Sequence, residues 1–167
     1  MNAPNFRSTA AFASRARSAA PVVDRATFVT FSLGGRRLAA PVETVERVLP
    51  CDRCVRDGGS HVSYCGVDVP LVDLAAHIGG AVRHTDASRV LILKLPAGWL
   101  AAVVDEVHDV AVVDAAVIST PSRSPADESN DRGGEVDLPR WVQGMFVQRD
   151  RETLVLDVGR ALGFRFS

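Results

Sequence analysis

The chain has 167 residues, 47% of them apolar, and a formal net charge of −1, which fits one domain with ragged ends and leaves enough apolar side chains for a core. A balance so near neutral argues against a general nucleic-acid binder, and no apolar run approaches the roughly 20 residues of a membrane-spanning helix, so no membrane insertion is expected. Three cysteines, an odd number, do not suggest a secreted disulfide framework, and the expected location is the cytoplasm.

Residues 1–25 hold Arg7, Arg15, Arg17 and Arg25 against Asp24 alone. Their Arg, Ser and Ala content resembles a transit peptide, but a disordered basic tail is the plainer reading. From Thr27 the pattern becomes strand-like. Thr27–Leu33 alternates, Gly34-Gly35 signals a two-residue hairpin, and Arg36–Pro41 is the returning strand. Val42, Val45, Val48 and Leu49 fall at helical spacing, which predicts one or two helical turns stopped by Pro50. Residues 51–60 read as loop. His61–Cys65 and Val67–Val72 form a second hairpin about Gly66. Asp73 then caps a short helix over Leu74–Ile78, ended by Gly79-Gly80.

After a connection over residues 81–88, Arg89–Leu95 reads as a strand buried on both faces. Pro96–Gly98 turns the chain and Trp99–Val104 returns. Val107–Val113 and Ala116–Ile118 continue the β pattern. Residues 120–139, rich in Ser, Pro, Asp, Gly and Asn, form a loop long enough to be either mobile or functional. Trp141–Val147 and Glu152–Leu156 make a last hairpin, and Asp157 caps a final turn ending at Gly163. Many short strands with close turn signals predict an all-β sandwich or barrel. No internal repeat is strong enough to assert.

Cys51 and Cys54, followed by His61 and Cys65, supply three thiolates and an imidazole, a set zinc accepts tetrahedrally. The spacing matches no recognised zinc motif. A redox role for the Cys-x-x-Cys pair needs a lowered thiol pKa, commonly found at a helix N-terminus, and here Pro50 precedes the pair, with Arg53 and Arg56 nearby. The four histidines are scattered, and no Ser/His/Asp spacing or nucleophile elbow is present. Asp105-Glu106 reads as an exposed turn rather than an acid–base pair. Trp99 and Trp141 read as core or barrel-end packing. No catalytic residue and no cofactor is expected.

The segments Cys65–Leu74 (Cys-Gly-Val-Asp-Val-Pro-Leu-Val-Asp-Leu), Trp99–Val107, Trp141–Val147 and Leu154–Val158, in this order and spacing, resemble the CheW-like domain family, the adaptors of bacterial chemotaxis arrays. The resemblance implies a domain over 26–167 made of two small SH3-like five-stranded β-barrels around a shared core, with short helices. It implies a non-catalytic scaffold that needs no cofactor. Its partners would be a histidine kinase regulatory domain, chemoreceptor tips and other CheW-like domains, met through pseudo-symmetric barrel ends at membrane-associated arrays. The family's receptor-touching Val falls on Val45. The acid two positions on is Arg47 here, a reversed charge. The family's Asn-Leu-Arg-Gly reads Ser63-Tyr64-Cys65-Gly66, so the Gly is kept and the Arg is not. The receptor-facing surface, expected at Val45, Arg47, Cys65 and Gly66, is therefore altered. The alternative reading is a metal- or redox-responsive module on the same fold, using Cys51, Cys54, His61 and Cys65.

Overall fold

The structure, a computed structural model, describes residues 22–51, 59–120 and 139–163. Strand β1 (Arg25–Leu33) turns into β2 (Arg36–Pro41) through Gly34 and Gly35, whose φ values of +60° and +79° are the left-handed pair that a tight hairpin needs. Of the tail expected over residues 1–25, residues 1–21 lie outside the described residues, and Arg25 already pairs with Asp114.

The helix expected over Val42–Leu49 is a correction. A single 3-10 turn, Val42–Thr44, leads into strand β3 (Val45–Pro50). The cause is a bulge. Val45 lies opposite Leu93 and Arg47 opposite Ile92, so Glu46 is an extra residue on this strand. The bulge breaks the period of two and puts Val45 and Val48 three apart, which imitates a helix. Extended pairing also suits their β-branched side chains.

Strands β4 (His61–Tyr64) and β5 (Val67–Val72) meet at Cys65-Gly66, with φ of 51° and 75°. Asp73 Oδ1 accepts from Ala76 N at 2.9 Å and starts helix α1 (Leu74–His77). Strands β6 (Arg89–Leu95) and β7 (Gly98–Val104) form the next hairpin, and β8 (Glu106–Asp114) follows. Ala115–Val117 is a 3-10 turn and not a continuing strand. Its N-cap Asp114 accepts from Ala116 N, and the chain then makes one bridge, Ser119 to Met145. Residues 121–138, most of the expected loop, lie outside the described residues. Strands β9 (Val142–Gln148) and β10 (Arg151–Leu156) precede helix α2 (Val158–Ala161), capped by Asp157, whose Oδ1 accepts from Arg160 N at 3.0 Å.

The described strands form two five-stranded sheets, ordered β8-β1-β2-β10-β9 and β3-β6-β7-β5-β4. Each curls into an SH3-like barrel. The two have one topology, circularly permuted, with the second barrel inserted between β2 and β8 of the first. The parallel pair Val155 with Ala39 matches Leu71 with Ala101. The hairpin pair Thr30 with Ala39 matches Ile92 with Ala101. The bulge recurs, since Phe31 and Val29 face Val107 and Val110 as Leu93 and Leu91 face Val45 and Val48. Even the short helices correspond. Val72-Asp73-Leu74 with Ile78-Gly79 has the spacing of Leu156-Asp157-Val158 with Leu162-Gly163.

Alternate residues of each hairpin serve different cores. Val90 and Ile92 face the second barrel's interior with Val62, Val69, Ala101 and Val103. Leu91 and Leu93 join Phe31, Leu33, Leu38, Leu74, Trp141 and Leu156 in a core shared by both barrels. This explains why β6 is buried on both faces.

Asp105 is the second correction. It is only 8% exposed, not part of an exposed turn. Its carboxylate accepts from Arg83 N at 2.7 Å and Gly35 N at 3.3 Å, while its own N–H donates to Ser32 O. It thus clamps the first barrel's β1–β2 turn to the chain that re-enters from the second barrel.

Candidate functional site

The residues singled out by sequence sit at one end of the second barrel. Val45 opens β3 and is half-buried against the shared core. Arg47, two residues on but past the bulge, is exposed at the barrel's end. Cys65 and Gly66 are exposed in the β4–β5 turn. Tyr64 links the two groups. Its phenol is held above the ordinary value of 10.0, first by loss of water around the half-buried ring, then by a side-chain hydrogen bond with Cys65 and the charges of Cys65 and Glu46, with Arg47 pulling it down. Arg47, Tyr64 and Cys65 therefore share one patch, while Val45 faces the core. Tyr64 was not among the residues singled out. It stacks edge-on with Trp99, ring centroids 5.1 Å apart, and the pair closes the barrel end. Trp141, by contrast, is buried in the shared core with the Arg36 guanidinium 5.6 Å from its ring centroid.

Tyr64 is the chain's one tyrosine, so an ultraviolet titration reads it alone. The expected midpoint lies above 10 in the folded protein and near 10 in denaturant. Arg47→Ala should raise it further and Glu46→Gln should lower it. A raised value favours the neutral phenol in the folded state. Its contribution to stability is present below the unfolded value and lost as pH rises through the folded one. A folded midpoint insensitive to both substitutions would contradict this grouping.

The four-ligand metal set is not assembled. His61 and Cys65 stand at opposite ends of β4, about 13 Å apart at the usual rise per residue, beyond the reach of one ion. His61 Nδ1 instead bonds Ser60 Oγ at 2.8 Å. Cys54 lies outside the described residues, and among those described no group of three or more His, Cys, Asp or Glu side chains could hold a metal.

The equivalent end of the first barrel has a like turn and different side chains. The turn Arg149-Asp150, with φ of 51° and 60°, corresponds to Cys65-Gly66, and Asp109 corresponds to Arg47. Arg149 lies 3.7 Å from Asp109, an acid–arginine pair where the second barrel has an arginine and a cysteine. Beside the two ends run edge strands β3 and β8, exposing Val48 (38%) on one and Val110 (58%) and Val112 (62%) on the other.

Two like five-stranded barrels sharing a core define a two-barrel domain. The chain belongs to the CheW-like domain family, whose model matches residues 27–164. Among solved structures it is similar to the scaffolding protein TtCheW from Thermoanaerobacter tengcongensis, with a TM-score of 0.60 and 19% identity over 80% of this chain and 90% of that one. At that identity the likeness shows the fold. A search of curated proteins finds no match.

Proposed function

We propose that the chain is a non-catalytic adaptor of a bacterial chemosensory array, acting in the cytoplasm at membrane-associated receptors. It joins a histidine kinase regulatory domain to chemoreceptor tips or to other CheW-like domains. The observation that supports this reading is the internal repeat. One chain carries two barrel ends with the same backbone and different side chains, so it can meet two different partners at once. The exposed valines on β8 and β3 give each end an apolar contact, and the different side chains, Asp109 paired with Arg149 on one end and Glu46, Arg47, Tyr64 and Cys65 on the other, give each end its own preference. Among the described residues no helix is long and apolar enough to cross a membrane.

Arg47 and Cys65 stand where receptor contact is expected, so receptor coupling should be the weaker of the two. The test is calorimetry with a kinase regulatory domain and a receptor-tip fragment from the same cell. Val110→Asp combined with Val112→Asp should weaken one partner by at least about tenfold and Val48→Asp should weaken the other, a few apolar contacts being worth that much at an interface. Both valine sites are exposed, so the variants should keep their fold. Two partners that compete for one end would contradict the reading.

A further inference from the structure

The first barrel has an open groove of about 550 Å³ at the end away from the Arg149-Asp150 turn, where β1 and β9 begin and β2 and β10 end. Its floor is the barrel's own apolar layer, with Phe28 and Val155 buried and Ala26 and Ile118 half-buried beside them. Gly144 shapes one wall. A Cβ there would lie 2.8 Å from Ile118 Cγ2 and 3.3 Å from Ser119 O, so only glycine lets the chain after the 3-10 turn pack so close. Val42 lines the groove and is exposed, and exposed Val117 stands between Ala115 and Ile118, both of which line it. Val22 and Val23, also exposed, lead to Arg25 at the rim. Four exposed valines about one groove with an apolar floor form a patch, unlike the single apolar residues that any surface carries.

Two observations point to what covers it. The first is where the chain outside the described residues arrives. Residues 1–21 join at Val22, just before Arg25 in the groove wall. The chain between Phe12 and Arg25 can extend over roughly 40 Å, so Phe12 reaches any point of the groove, and closing so short a loop carries a small entropy loss. Phe12 sits among alanines, with Ala10-Ala11 before it and Ala13 after. The second observation is charge. Residues 1–21 carry Arg7, Arg15 and Arg17 and no acid. At the groove, Arg25 and Glu43 offset each other, and Asp24 and Asp114 stand beside Arg25, Asp114 opposite it in the ladder. Three acids against one arginine leave this rim negative, and among the described residues no ion pair engages Asp24, Glu43 or Asp114.

We propose that the N-terminal segment of the same chain folds back on this groove. Phe12 seats against Ala26, Val42 and Ile118, over the floor of Phe28 and Val155, and Arg15 and Arg17 lie against Asp24, Glu43 and Asp114. The flanking alanines let the backbone of the segment approach closely. Burial of the ring and the exposed valines supplies the attraction, and the arginines set which way the segment runs. Tethering makes the contact effective even where the free peptide binds weakly, because the segment is present at a local concentration on the order of millimolar. The Arg149-Asp150 turn, at the far end of the barrel, stays uncovered. The segment is thus a removable cover for an apolar face, and this role stands or falls apart from the adaptor reading.

The test uses the full chain with labelled isoleucine and valine methyl groups. Phe12→Ala should shift the methyl resonances of Ile118 and Val42 through loss of a ring current and should leave those of Val110 in place. Arg15→Glu combined with Arg17→Glu should move the same resonances in the same direction, and added salt should do so in part. All three substitutions lie in the segment, so the barrels keep their own contacts. A fluorescent synthetic peptide of residues 1–21, added in trans, should bind the Phe12→Ala chain about tenfold more tightly than the native chain, whose groove is already filled. The native shifts should not change on dilution. Shifts that do change on dilution would give the groove to a second copy of the chain. Shifts that respond to substitutions in residues 121–138 but not to Phe12→Ala would give it to that connection. Equal peptide binding by the two chains would leave no docked segment. Each of these three results overturns the proposal.

Discussion

Phe31→Ala should cost about 3–5 kcal/mol and should unfold both barrels in a single step. Phe31 belongs by sequence to the first barrel, yet it is fully buried in the core that Leu91, Leu93 and Ala102 of the second barrel also line. Truncation removes an aromatic ring and leaves a cavity between two sheets whose strands are pinned by their own ladders, so collapse around it is limited. By contrast, Ile92→Val, inside the second barrel alone, should cost only about 0.5–1.5 kcal/mol. Trp99 lies in the second barrel and Trp141 in the shared core, so fluorescence of Trp99→Phe and Trp141→Phe variants reports the two regions separately. Within each background, Phe31→Ala should lower the denaturant midpoint by the same free energy. If the Trp99 signal did not respond, the barrels would be independent units and the shared core would be nominal.

Asp105→Ala should cost about 2–4 kcal/mol, because it strips a carboxylate from two backbone N–H groups that then lack a buried acceptor. Asp105→Asn keeps one acceptor oxygen and should recover roughly half of the loss. The damage should be local in a diagnostic way. Hydrogen exchange should speed first at Gly35 and Arg83, the clamped amides, before the strands loosen. A neutral Asp105→Ala would mean that water replaces the carboxylate at no cost, and the clamp would have no role in joining the barrels.

Much of the architecture was readable from local chemistry. The turns at Gly34-Gly35 and Gly66 and the caps at Asp73 and Asp157 were each placed correctly, because each depends on residues adjacent in sequence. Three features were not readable, for physical reasons. The bulge at Glu46 turned a strand into an apparent helix. Asp105 follows an apolar strand like many turn acids, and only its distant partners Gly35 and Arg83 reveal the clamp. The repeat left a signal in the chain, in the matching Asp73-Leu74 with Ile78-Gly79 and Asp157-Val158 with Leu162-Gly163. Circular permutation hides it, since a hairpin that comes first in one barrel comes last in the other. Of the candidate site, Arg47 and Cys65, named by family resemblance, fall together at one barrel end, but Val45 proved half-buried and Tyr64 was missed, because neither is evident until β3 and β4 are brought together.

The central claim is that one copy of this chain bridges two partners. Light scattering on the purified chain mixed with a kinase regulatory domain and a receptor-tip fragment from its own cell tests it most directly. A single species with the summed mass of all three components, lost on combining Val110→Asp with Val112→Asp, is the predicted result. Only binary complexes, with each partner displacing the other, would contradict it.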